Sequence, residues 1–271
     1  MNKSLLYLLV VVGVLTSCSD SYSVQGTSSI AALDGSKLYL KAIKSGDLKN
    51  IDSCDVVHGQ FHFNGLLDSV RIVSLFMDEE SIMPVVLEKG EISIRIDNTS
   101  RRVSGTPLNE ELYDFLTRHD QLDNELSELS HRHSQMLLEG EDEDVINEQL
   151  SLEAARIAQQ EDSLVTNFII DNFDNVLGPG VFMMMTGSYP YPVLTPQIED
   201  IMSKATSKFK NDPYVKEYYQ TANDIQAQQN GLADDGTVPP PPPAEGPESP
   251  LQPSLSQNPS LPDSIQSIPA E

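Results

Sequence analysis

The hydrophobic period of this chain changes at Thr106-Pro107, and that change constrains its fold more than any other feature. Beyond it, Leu108, Leu112, Phe115, His119, Leu122, Leu126, Leu129, His133 and Met136 recur at alternating steps of four and three. Nine such positions in succession predict a long helix with a coiled-coil stripe. It should run about 30 residues, or roughly 45 Å. Thr106 can cap this helix, with Pro107 at its first position. An acidic turn from Glu139 to Asp144, containing Gly140, then interrupts the pattern. A second stripe follows at Ile146, Leu150, Glu153, Ile157, Leu164 and Phe168, so the pair reads as an antiparallel helical hairpin. Gly178-Pro179-Gly180 is expected to break the second helix, and Val181 to Met185 to form a short apolar piece. Thr195-Pro196 and Asp212-Pro213 signal two more helices, the last fading near Asn230-Gly231.

Before Thr106 the period is two. Gly59-Gln60-Phe61-His62-Phe63 alternates, and Leu38-Tyr39-Leu40, Ser69 to Met77, Pro84 to Leu87 and Ile92 to Ile96 read as further strands. Turn signals at Asp34-Gly35, Asn64-Gly65 and Lys89-Gly90 punctuate them. This spacing predicts an antiparallel β-sandwich or small barrel, and with the helices an α+β protein. Phe61 and Phe63 should face the core, and His58, Gln60 and His62 the other side.

Charge and rare residues narrow the function. With 17 Lys and Arg against 41 Asp and Glu, the formal charge is −24, so nucleic acid and anionic membrane surfaces repel the chain. Two Cys, no Trp and five scattered His leave little material for a metal cage or redox pair. No enzyme and no cofactor are expected. Eleven of the 18 prolines follow Gly231, five of them consecutive at Pro239 to Pro243, and no Lys or Arg follows Lys216. Residues 231–271 therefore read as a disordered, acidic, proline-rich tail.

At the N-terminus, Lys3 precedes an uncharged apolar run from Leu5 to Leu15. Its eleven residues span about 16 Å as a helix, too short to cross a bilayer, so residues 1–17 read as a signal peptide. Leu15-Thr16-Ser17-Cys18 resembles the lipobox of bacterial lipoproteins. The resemblance implies cleavage before Cys18, a diacylglycerol on its thiol, and acylation of its new amine. Residues 18–23 would then be a lipidated tether, 24–105 the β domain and 106–230 the helical domain. Ser19-Asp20 only partly matches the acidic surface-export signal of such proteins. Acylation would leave Cys54 as the only thiol, expected to lie buried in a strand as a small hydrophobe.

The β region carries a second resemblance. Asp34-Gly35 with Lys37-Leu38-Tyr39-Leu40, Ile51-Asp52-Ser53, Gly59 to Gly65, Leu87 to Ile92, and Gly105-Thr106-Pro107-Leu108-Asn109 occur in order. Together they resemble the domain of unknown function that precedes the thioredoxin-like domain in thiol-disulfide oxidoreductase lipoproteins of Gram-negative gut commensals. No Cys-x-x-Cys exists here, so the resemblance transfers an address and a β fold, not a redox site.

Sharper readings compete with plainer ones. His131 and His133 point about 200° apart on a helix, and His58 and His62 lie over about 13 Å apart on an extended strand, so neither pair is expected to bind metal. His119 and His133, both in the seam, are expected to loosen the hairpin when they charge at mildly acidic pH. Glu141 to Asp144 lacks the spaced ligands of a calcium loop, and Met183-Met184-Met185 reads as packing. Asp68-Ser69-Val70, Asp162-Ser163-Leu164 and Asp263-Ser264-Ile265 look like O-glycosylation acceptors of such envelope proteins, with Ser264 the best placed. The expected function is a non-enzymatic binding or scaffolding module at the outer membrane, anchored through Cys18 and working with an unidentified protein partner. The alternative is an accessory to envelope redox chemistry, working with a separate thioredoxin-like protein.

Overall fold

The computed structural model describes residues 20–44 and 47–230. Residues 1–19, with the stretch read as a signal peptide and Cys18, and residues 231–271, with Ser264, lie outside the described residues. The described chain divides into two compact units, 20–78 with 83–106, and 79–82 with 107–230.

The strands are β1 (Ser21–Ser28), β2 (Lys37–Lys44), β3 (Asp47–Asp55), β4 (Gln60–Leu66), β5 (Arg71–Met77), β6 (Glu80–Leu87), β7 (Gly90–Ile96) and β8 (Arg101–Ser104), all in the first unit except the first three residues of β6. They form two four-stranded sheets, in the orders β4-β1-β7-β8 and β3-β2-β5-β6. Both sheets are open, so no barrel closes. One pairing departs from the antiparallel expectation: β1 runs parallel to β7, from Tyr22 opposite Gly90 to Ser28 opposite Ile96. Alternation sets the inner faces, with Phe61 and Phe63 buried on β4 and Ile92, Ile94 and Ile96 buried on β7. Pro84 is tolerated in β6 because that strand is a sheet edge.

Strand β1 begins inside the stretch expected to be a tether. Its sequence, Ser21-Tyr22-Ser23-Val24-Gln25-Gly26, is too polar to announce a strand, yet Tyr22 and Val24 are both buried. The Tyr22 hydroxyl donates to Asp52 Oδ2 on β3, 3.2 Å away, which links the two sheets. Gly26 is required by its partner. It lies opposite Phe61, and a Cβ at Gly26 would stand 2.0 Å from that ring.

The second unit holds α1 (Pro107–Glu139), α2 (Glu143–Asp171), α3 (Leu177–Thr186), α4 (Pro196–Lys204), the one-turn α5 (Ser207–Lys210) and α6 (Pro213–Gln229). Helices α1 and α2 form the expected hairpin around Leu126, Leu129, Ile146, Leu150, Ala154 and Ile157. Asp142 caps α2, its carboxylate accepting from the Asp144 and Val145 N–H groups at 3.1 and 3.4 Å. Thr195 and Asp212 cap α4 and α6 at the positions their Pro neighbours signal. None of the described helices is long and apolar enough to cross a membrane.

Two details of the second helix differ from expectation. Its buried line is Ile146, Leu150, Ala154, Ile157, Glu161, Val165 and Ile169, so Glu153, Leu164 and Phe168 leave the expected seam and the neighbouring Ala154, Val165 and Ile169 take their places. The steps are mostly of four residues rather than alternating fours and threes, so the second helix departs from the heptad spacing of the first. Glu153 instead accepts from Arg132 Nη1 across the hairpin, at 2.8 and 2.9 Å. Nor does Gly178-Pro179-Gly180 break α2, which ends at Asp171. Those residues form the first turn of α3, where a missing proline N–H costs no helical hydrogen bond. Gly178 permits close packing, since a Cβ there would lie 2.4 Å from the Asn172 carbonyl oxygen.

Candidate functional site

Inside the hairpin, the helical repeat places an imidazole between two acids. His119 and Asp123 are one turn apart on α1 and share a face. Glu161 meets them from α2. His119 is 2% exposed, and Asp123 and Glu161 are also buried. Nδ1 of His119 lies 3.6 Å from Asp123 Oδ2, and Nε2 lies 2.9 Å from Glu161 Oε1. Burial opposes charge on the ring, but the contact with Glu161 and the fields of Asp123, Glu161 and Asp120 outweigh it. The imidazole pKa is therefore held above its ordinary value.

This reverses the expectation that charging His119 loosens the hairpin. A raised folded-state pKa contributes stability that is complete below the unfolded value and is lost as pH rises through the folded value. Among the described residues, His119, Asp120 and Asp123 are the one group whose donor atoms, all within 4.8 Å of one another, could hold a metal ion. Yet each ring nitrogen already faces a carboxylate, so the arrangement is an internal ion-pair network. The sequence reading placed His119 in the seam but missed both acids. The available signal was an acid one turn from a seam histidine, and another four residues after seam Ile157.

A second concave region lies on the first unit, where the chain passes from β3 to β4. It is an open groove lined by Gln25, Thr27, Cys54, His58, Gln60 and His62, among others. The turn that forms it holds His58 at φ 51° and Gly59 at φ 70°. A Cβ at Gly59 would lie 2.4 Å from the Ser28 carbonyl oxygen, and the Gly59 N–H donates to Asp34 Oδ1 at 3.2 Å. His58, Gln60 and His62 are exposed, as alternation predicts.

Cys54 corrects the expectation of burial: it is only half-buried. The reason is topological, since β3 is a sheet edge and its residues are covered incompletely. Partial burial pushes the thiol up to about 11, with Asp52 and Asp55 adding to the effect while a hydrogen bond from the His62 N–H and the charge of Lys37 oppose it. Cys54 is thus reachable but a poor thiolate. Cys54, His58 and His62 share the groove without bringing their donor atoms together as a metal-binding group.

The remaining sequence candidates are dispersed. His131 is exposed, whereas His133 Nε2 lies 3.1 Å from Asn147 Oδ1 across the hairpin, so the two do not converge. Asp142, within the acidic cluster, is a helix cap. Met185 is buried, and Met183 and Met184 are half-buried in α3. Ser69 is exposed and accepts from Arg71 Nη2 at 3.0 Å, while Ser163 is exposed on α2 and donates to the Gln159 carbonyl at 2.7 Å. At the turn end of the hairpin, Leu137, Leu138, Val145 and Leu152 are exposed, Leu138 to 90%.

No curated protein matches the chain. Residues 22–112, from the second residue of β1 to the second turn of α1, match a family model described as a domain of unknown function, and a DUF4369 domain is therefore present there.

Proposed function

We propose that this is a lipid-anchored envelope protein of the outer membrane that works as a non-enzymatic binding or scaffolding module. The lipobox-like Leu15-Thr16-Ser17-Cys18 supports the anchor and the address. The observation that carries the binding role is the apolar turn end of the hairpin, where Leu137, Leu138, Val145 and Leu152 remain exposed on two long helices. Leu138 at the end of α1, and Val145 and Leu152 seven residues apart on one face of α2, are exposed apolar side chains that gain by being covered. The partner is a protein, since the acidic chain disfavours nucleic acid.

The test is a photo-reactive residue placed at Leu138 in intact cells, with exposed Glu128 as the comparison site. Discrete protein adducts from Leu138 alone, lost when Leu152→Asp is added, are expected. Equal adducts from both sites, or none from Leu138, would overturn the binding role.

A second reading has one observation in its favour. Cys54 is half-exposed in a groove, as an accessory to a separate thioredoxin-like protein would require. The raised thiol pKa weighs against it, because disulfide exchange proceeds through the thiolate. Mixed disulfides trapped in cells and absent from Cys54→Ser would favour this reading over the first.

A further inference from the structure

We infer that the end of the β unit around Leu66, Leu67 and Val70 rests on the lipid surface that holds the anchor, a surface contact that depends on the reading of Cys18 as lipidated. Asp20 is only two residues beyond Cys18, so covalent geometry keeps it within about 7 Å of the acylated residue. Backbone pairing carries that proximity to one place. Ser21 lies opposite Leu66, and the Leu67 N–H donates to the Asp20 carbonyl at 2.8 Å.

The side chains there suit a bilayer surface. Leu66 is 74% exposed and Val70 39%, with half-buried Leu67 between them. Two acids beside them are paired, Asp20 with Lys89 at 2.7 Å and Asp68 with Arg71 at 2.8 Å, while exposed Glu91 stands further along, opposite Ser23. This end of a strongly acidic chain therefore presents apolar side chains among neutralised ones, which zwitterionic headgroups tolerate. Exposed Val57 provides an internal comparison, because it bridges to Gln60, which lies opposite Thr27 towards the far end of β1. Six residues of strand separate Thr27 from Ser21, about 20 Å.

The chain contains no Trp, so Leu66→Trp, Val70→Trp and Val57→Trp each introduce a single indole, excited selectively at the red edge where the tyrosines do not absorb. Each full-length variant, purified with its lipid, is placed in vesicles of phosphatidylcholine with brominated acyl chains. Flotation with the vesicles, lost in Cys18→Ser, verifies the anchor separately. The expected result is blue-shifted, bromine-quenched emission from Leu66→Trp and Val70→Trp, with water-like emission from Val57→Trp. Floating protein in which Leu66→Trp and Val70→Trp are quenched no more than Val57→Trp would overturn the contact and leave the anchor standing. Protein that does not float overturns both.

Discussion

His119 shows how strongly one buried residue can tie stability to pH. It is enclosed by Asp123 and Asp120 on its own helix and by Glu161 on the facing one. Removing one member of a buried ionic contact leaves the others uncompensated, at about 3–5 kcal/mol. Glu161→Gln should therefore lower the unfolding free energy by about 3 kcal/mol, read by urea denaturation near pH 6. Because the His119 pKa is raised, stability should fall as pH rises from 6 to 9, and His119→Gln should flatten that slope. The pKa values of Asp120 and Asp162 are also raised, chiefly by burial, but from a starting value of 3.8, so that comparison is dominated by the histidine. At Cys54, the rise from 9.0 to about 11 reduces the thiolate population about a hundredfold. The higher basicity of that thiolate returns part of the loss, so alkylation by iodoacetamide at pH 7.5 should be about tenfold slower than for a free thiol of ordinary pKa, and a rate equal to or above that of the free thiol would reject the desolvated environment.

At the scale of the element, the hairpin offers three interactions of graded worth. Ile157 is 1% exposed within the core cluster, so Ile157→Ala removes packed volume and should cost about 2–5 kcal/mol. Asp142→Ala removes a cap and should cost about 1 kcal/mol. Arg132→Ala breaks a half-exposed ion pair worth about 1 kcal/mol or less. Thermal melts of the three variants should preserve that order. The same comparison explains why the first helix was more legible than the second. Leu112, Phe115, Leu126 and Leu129 are large and apolar at regular steps, whereas the second seam uses Ala154 and Glu161, which hydrophobicity does not distinguish from surface residues.

For the whole molecule the dominant physical fact is charge. Forty-one acids against 17 bases give a self-repulsion that no local pairing removes. Raising NaCl from 10 mM to 0.5 M should increase Tm, since screening at the higher salt acts within a few Å. A fall over that range would mean that specific ion pairs outweigh the general repulsion. The same charge bears on the proposed lipid contact, since at the Leu66 end of the β unit Asp20 and Asp68 are each paired with a base.

By itself, the sequence determined the change from strands to helices at Thr106, the long hairpin, the caps at Thr195 and Asp212, and the inward face of Phe61 and Phe63. These follow from periodicity and local backbone chemistry, which a single segment carries without reference to the rest of the fold. Tertiary structure decided the parallel pairing of β1 with β7, the half-exposure of Cys54 at a sheet edge, and the meeting of Glu161 with His119. Each depends on residues tens of positions apart being brought into register, and no local pattern encodes which distant group will arrive.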